Sequence, residues 1–210
     1  MVDLNKIIQA KRTIANFVRN TELYESKKLS VLSGAEVFVK RENLQRTGAY
    51  KIRGAYNKIA HLSEEQKQGG VIAASAGNHA QGVALSAREF GVRAVIVMPE
   101  STPLLKVIGT KNLGAEVILK GNNFDEAYAY AVEYANENNL VFVHPFNDEL
   151  IQAGQGTIAL EMLESVPDLD YIVAPVGGGG LISGVASCAK QINPNIKIIA
   201  VGAKGAPAMH

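Results

Sequence analysis

The chain has 210 residues, 47% of them apolar and 20% charged, with a formal net charge of +1. That composition buries a core and excludes a disordered chain, and the length suits one large domain or two small ones. Balanced charge removes the electrostatic reason to expect nucleic acid or an anionic membrane as partner. A single cysteine, Cys188, excludes an intrachain disulfide and any multi-cysteine metal site.

The amino terminus has no apolar signal segment. Residues 3–18 set Leu4, Ile7, Ile8, Ile14 and Val18 near one helical face. A short alternating strand is expected at 36–40 and a helix from Lys51 to His61. Ser63-Glu-Glu-Gln66 reads as a capping box opening a short helix that Gly69-Gly70 closes. Strands and helices then alternate. Strands fall at 71–74, 93–98, 115–119, 140–143, 171–176 and 196–202, and helices at 79–90, 103–113, 124–138, 154–164 and 181–191. Tyr171–Ala189 is uncharged and near membrane-spanning length, but Pro175 and Gly177–Gly180 in its middle predict a strand, a loop and a buried helix instead. A soluble, cytoplasmic protein is expected. Strands that are apolar throughout, each followed by a helix, predict an α/β fold with a parallel sheet covered on both faces. Gly205-Ala-Pro-Ala-Met-His210 follows a buried-looking strand with no helix to cover it, so a chain truncated at its C-terminus is expected.

In open α/β sheets ligands bind beyond the carboxyl ends of the strands, and three stretches are candidates. Gly177-Gly178-Gly179-Gly180-Leu181 joins a strand to a helix. Glycines let the backbone approach a ligand, and amides at a helix start attract a phosphate. A plain tight turn is the alternative, for which one or two glycines suffice. The spacing completes neither a Walker loop nor Gly-x-Gly-x-x-Gly, which argues against a dinucleotide-binding dehydrogenase. Ser75-Ala-Gly-Asn-His-Ala-Gln-Gly82 collects small residues, a side-chain amide and backbone donors suited to a carboxylate or phenolic oxygen. Ser75 or Asn78 as a helix cap, and His79 as a core histidine, are the simpler readings. Lys51 follows a Thr-Gly turn at a helix start, where Tyr50, Ile52 and Gly48-Ala49 would desolvate the amine and make it a nucleophile. A solvated surface lysine is the alternative. A lysine, a phosphate cradle and an amide loop together are what pyridoxal phosphate requires.

These stretches resemble the fold-type II pyridoxal-phosphate enzymes, most closely the threonine dehydratases (threonine ammonia-lyases). In that family Lys-x-Glu-x-Leu-Gln-x-Thr-Gly-Ser-Phe-Lys-x-Arg-Gly-Ala carries the Schiff-base lysine. Lys40 to Ala55 has the same register, departing at Ala49-Tyr50. The resemblance implies a tryptophan synthase β-like fold of two open, mostly parallel sheets with helices on both faces. A small α/β domain would span 43–143, and a larger, incomplete cofactor-binding domain 1–42 plus 144–210. Lys51 would bond the cofactor and act as general base, Asn78 would contact the ring 3′-oxygen, and Gly177–Leu181 would hold the phosphate. Ser75, Asn78 and His79 would receive the substrate carboxylate, largely through main-chain amides. The implied reaction deaminates L-threonine, and L-serine, to 2-oxobutanoate or pyruvate and ammonia. Amino-acid metabolism, including isoleucine biosynthesis, is the implied setting, and a dimer or tetramer the implied assembly. Two other readings are a serine racemase-like enzyme and a cofactor-binding fragment without catalysis. Racemases place an acid/base serine where this chain has Ala76, and cation-binding carboxylates where it has Gly202 and Ala208. No metal is expected.

Overall fold

The computed structural model describes residues 1–206 and Met209; the Ala208 position lies outside them. Helix α1 (Leu4–Ile14) starts at Asp3, whose side chain accepts from the Asn5 amide, and buries Ile7, Ala10 and Ile14. It stops short of residue 18, but Phe17 and Val18 remain buried against Ile52 and Leu85. Strands β1 (Leu23–Glu25) and β2 (Phe38–Lys40) pair antiparallel around α2 (Lys27–Ser33), which ends at left-handed Gly34. The sequence reading lacks β1 and α2, because neither buries a residue that would show a period. A 3-10 turn at Glu42–Leu44 leads to α3 (Lys51–Ala60). Helix α4 (Glu64–Gly69) opens with both arms of the expected capping box.

The main sheet contains β3 (Val71–Ala74), β4 (Ala94–Met98), β5 (Glu116–Leu119) and β6 (Val141–Phe142), all parallel, in the order β5-β4-β3-β6. Its crossovers include α5 (Asn78–Glu89), α6 (Leu104–Asn112) and α7 (Phe124–Glu137). Successive strand residues point to opposite faces. Val71, Ala73, Ile96 and Met98 therefore pack with residues of α3, α5 and α6, while Ile72, Ala74, Val95 and Val97 pack against Ala127, Ala131 and Ala135 of α7. Each fully buried Val or Ile contributes roughly 1.5–3 kcal/mol, so this sheet carries much of the burial that holds the fold together.

Helix α8 (Glu149–Ser165) begins earlier than residue 154 because Asp148 caps it, accepting from the Leu150 and Ile151 amides. Strand β7 (Tyr171–Val176), α9 (Gly180–Ile192) and β8 (Lys197–Gly202) follow, with β7 and β8 parallel. Ile172 and Ile196 pack with residues of α1, α8 and α9. The opposite face of this pair exposes Tyr171, Val173, Ile199 and Val201. Helix α8 joins the two cores, since Ile151 packs under the main sheet while Ala153, Ile158 and Leu163 belong to the second cluster. Among the described residues no helix is long and apolar enough to cross a membrane.

Candidate functional site

Lys51 is the first residue of α3. Its Nζ donates to the Pro145 carbonyl at 2.7 Å and lies 5.6 Å from the centre of the Tyr50 ring. Burial pushes its pKa down to about 8, because a charged amine loses hydration there. The positive end of the helix dipole disfavours the ammonium further. Helix α5 comes close to this point: a Cβ at Gly82 would stand 3.2 Å from the Lys51 carbonyl carbon and the Ile52 nitrogen. The helix that follows Ser75–Gly77 and the lysine thus share one packed contact.

The tetraglycine loop links β7 to α9 and faces Lys51 across a cavity of about 190 Å³, which Tyr50, Phe146, Pro175 and Ile182 help to line. Lys51 is the one charged group among the described lining residues. Gly179 has φ +87°, which side chains rarely adopt. A Cβ on Gly178 would collide with the Phe146 ring, and one on Gly180 would stand 2.8 Å from the Phe146 Cβ. A Cβ on Gly177 would meet nothing within 4 Å. Turn geometry alone needs one glycine here; Phe146 requires two more. The amides opening α9 have no helical acceptor of their own, as at any helix start.

In the second loop, neither Ser75 nor Asn78 caps α5. Gly77 is the N-cap and receives no side-chain bond, Asn78 is already helical, and Ser75 Oγ accepts from the Gly77 amide at 3.2 Å. His79 is a core histidine. Its ring is buried and Nε2 donates to the Val143 carbonyl at 2.8 Å, which leaves Nδ1 a bare acceptor with no partner. Burial pushes its pKa down to about 3, so the ring is neutral. Any anion at this loop meets the backbone amides of His79, not a charged imidazole. Ser75, Asn78 and His79 do not line the cavity between Lys51 and the glycines.

Sequence reasoning missed the segment His144–Pro145–Phe146, which supplies the acceptor for Lys51 and the wall behind the glycines. It also missed a buried ion cluster. Arg53, with no exposed side-chain surface, donates to Glu161 at 2.6 and 2.9 Å and to Glu42 at 2.8 Å. Lys40 Nζ reaches Glu161 at 2.6 Å. Burial alone would lower the Arg53 pKa; the hydrogen bonds to both carboxylates outweigh it and hold the guanidinium charged. Lys40, Glu42 and Arg53 all sit in the same stretch as Lys51, but only the fold brings Glu161 to them.

A desolvated amine opposite a glycine-lined helix start is the arrangement that suits a carbonyl compound carrying a phosphate. Residues 14–210 match the family described as pyridoxal-phosphate dependent enzymes, and the chain belongs to that family. It is 56% identical over 209 residues to the L-threonine ammonia-lyase of Thermotoga maritima, covering all of this chain and 52% of that protein. Two solved structures share the fold closely. Maize serine racemase superposes with a TM-score of 0.95 at 41% identity, over 98% of this chain and 63% of that one. The processed form of threonine deaminase isoform 2 from Solanum lycopersicum gives 0.91 at 42% identity, over 99% and 58%. The chain spans about half the length of its Thermotoga relative. Its fold class is that of the fold-type II family, with the face of β7–β8 away from α9 uncovered among the described residues. The residues present fit pyridoxal phosphate: an amine whose pKa burial lowers shares one cavity with a glycine loop that opens a helix, and none of those four glycines carries a side chain into it.

Proposed function

We propose that this chain carries the cofactor lysine and phosphate cradle of a lyase that deaminates L-threonine, and L-serine, by β-elimination. The observation that carries the reading is Lys51: a desolvated amine at a helix start, sharing one cavity with Gly177–Leu181. The Thermotoga relative, named an L-threonine ammonia-lyase, supports the choice of reaction. When bound, pyridoxal phosphate supplies a carbonyl that captures amines and a ring that accepts electron density from the amino-acid Cα.

Lys51 would hold the cofactor through its Nζ, and the same amine is placed to take the Cα proton of the substrate. Backbone amides of Gly177, Gly178, Gly179, Gly180 and Leu181 bind the phosphate, helped by the α9 dipole. Asn78 would donate its side-chain amide to the ring oxygen. The loop Ser75–His79 receives the substrate carboxylate through main-chain N–H groups, with the neutral His79 ring acting as a core support. L-Threonine loses the Cα proton and the β-hydroxide, together one water. The resulting enamine takes water back and leaves as 2-oxobutanoate and ammonia. Ala76, where a racemase has its second acid/base serine, has no proton to return to the opposite face of Cα.

Division into a small domain at 43–143 and a larger one from 1–42 plus 144 onward accompanies this reading. The main sheet lies wholly in the first segment, and β7–β8 in the second. Homo-oligomer formation is part of the same proposal, and the apolar face of β7–β8 is one surface available for association. The test is incubation of the cofactor-loaded protein with L-threonine and L-serine, following 2-oxo acid and ammonia. Lys51→Ala is expected to lower turnover by about 10³-fold or more. Formation of D-serine without 2-oxo acid would replace the lyase reading with a racemase.

A further inference from the structure

A second cavity of about 190 Å³ is walled by Phe124, Asp125, Tyr128, His144, Pro145 and Phe146. It shares Phe146 with the lysine cavity, and Pro145, whose carbonyl accepts from Lys51 Nζ, lines it. Its most constrained polar group is His144. The Nδ1 atom accepts from the Phe146 amide at 3.2 Å and the Asn147 amide at 2.8 Å. Backbone N–H groups only donate, so Nδ1 carries no proton and the neutral ring carries its proton on Nε2. Turning the ring over would forfeit both bonds. Edge-on contacts to Phe146 at 4.6 Å and to Tyr128 at 5.9 Å hold it further. Among the described residues the Nε2–H has no acceptor. Burial lowers the His144 pKa, and the nearby Lys51 charge lowers it too, while Asp148 opposes them.

We propose that this cavity takes the side chain of the substrate amino acid and that the Nε2–H of His144 donates to its β-hydroxyl, which makes His144 a specificity residue. The inference rests on the lyase reading. If Lys51 works at Cα, Cβ is one bond away, and the carbonyl that accepts from Lys51 belongs to Pro145, the residue after His144. A neutral imidazole is a poor acid, so His144 recognises the hydroxyl and keeps its proton. The aromatic walls of Phe124, Tyr128 and Phe146 leave an apolar place for the threonine methyl. A site built to bond a hydroxyl discriminates strongly against analogues that lack it.

The test compares the cofactor-loaded wild type with His144→Asn, whose side-chain oxygen can still accept from the Phe146 and Asn147 amides but which loses the Nε2–H. The substrates are L-serine and β-chloro-L-alanine, which share a carbon skeleton and differ in the leaving group. The ratio of kcat/KM for L-serine over β-chloro-L-alanine is expected to fall by about 10- to 100-fold in the variant. An unchanged ratio overturns the inference while leaving the lyase reading intact. A wild type inert towards both substrates overturns the lyase reading and this inference with it. A measurement independent of turnover is ¹⁵N NMR of histidine-labelled protein. The resonance pair lost in His144→Asn should show a bare Nδ1 and a protonated Nε2, and the opposite tautomer refutes the proposal.

Discussion

Strands β3 and β4 of the main sheet are buried along their whole length, with helices on both faces. Strand β7 buries only every second residue: Ile172 is 3% exposed, whereas Val173 is 63% exposed and Val201 on β8 is 52% exposed. Both regions are rich in Val, Ile and Ala, so composition does not separate them. What differs is the number of helices that reach each sheet. The candidate site draws on both regions, taking Lys51 from a helix packed on the main sheet and the glycine loop from the end of β7. Helix α8 and Arg53 tie the two together, so the distance between lysine and loop is a property of that tie.

The comparison breaks most severely at the tie. Arg53→Met should destabilise the protein by about 3–5 kcal/mol, because Glu161 stays buried with Lys40 as its remaining close cation and the partly buried Glu42 loses its arginine. Denaturant titration measures it, and a loss under about 1 kcal/mol would show that the cluster does not couple the regions. Truncating one residue on each sheet tests the contrast directly. Ile96→Ala, at a fully buried β4 position, should cost about 2–5 kcal/mol. Val173→Ala on the open face of β7 should stay within about 0.5 kcal/mol. Comparable losses would mean that the β7–β8 face is covered in solution, as the proposed oligomer allows.

Two glycines of one loop offer a finer comparison. Gly178→Ala drives a methyl into the Phe146 ring and should cost roughly 1–3 kcal/mol along with cofactor affinity. Gly177→Ala has free space around its Cβ and should leave the melting temperature nearly unchanged, so any loss of cofactor binding there reports on the ligand itself. The smallest effect is the titration of Lys51. Its pKa falls from 10.5 to about 8, so the unfolded chain binds more protons between those values and stability should rise with pH there. Without cofactor, Lys51→Met should be more stable than the wild type at pH 7, with the gap closing towards pH 10. Denaturation midpoints at several pH values would check it, and a constant gap would mean an ordinary lysine.

Much of the fold was legible because burial leaves a period in the sequence. The strands of both sheets and most helices follow from apolar runs broken by Gly and Pro, and the α4 capping box is present as read. Short elements that bury little, β1 and α2, left no such trace, and the start of α8 depended on one capping side chain, Asp148. The glycine loop was legible as a site, but the need for Gly178 and Gly180 was not, since it arises from Phe146, a residue far away in sequence.

By itself, then, the sequence determined the α/β class, the placement of Lys51 at a helix start, and two small-residue loops at the ends of strands. These are local matters of chain geometry and side-chain size. Only the tertiary structure decided that His79 is a neutral core histidine, that Arg53 meets Glu161, and that the Pro145 carbonyl faces Lys51. Each depends on which distant group fills the space beside it. Desolvation is set by that same filling, and it is what lowers the Lys51 pKa and makes the amine available for chemistry.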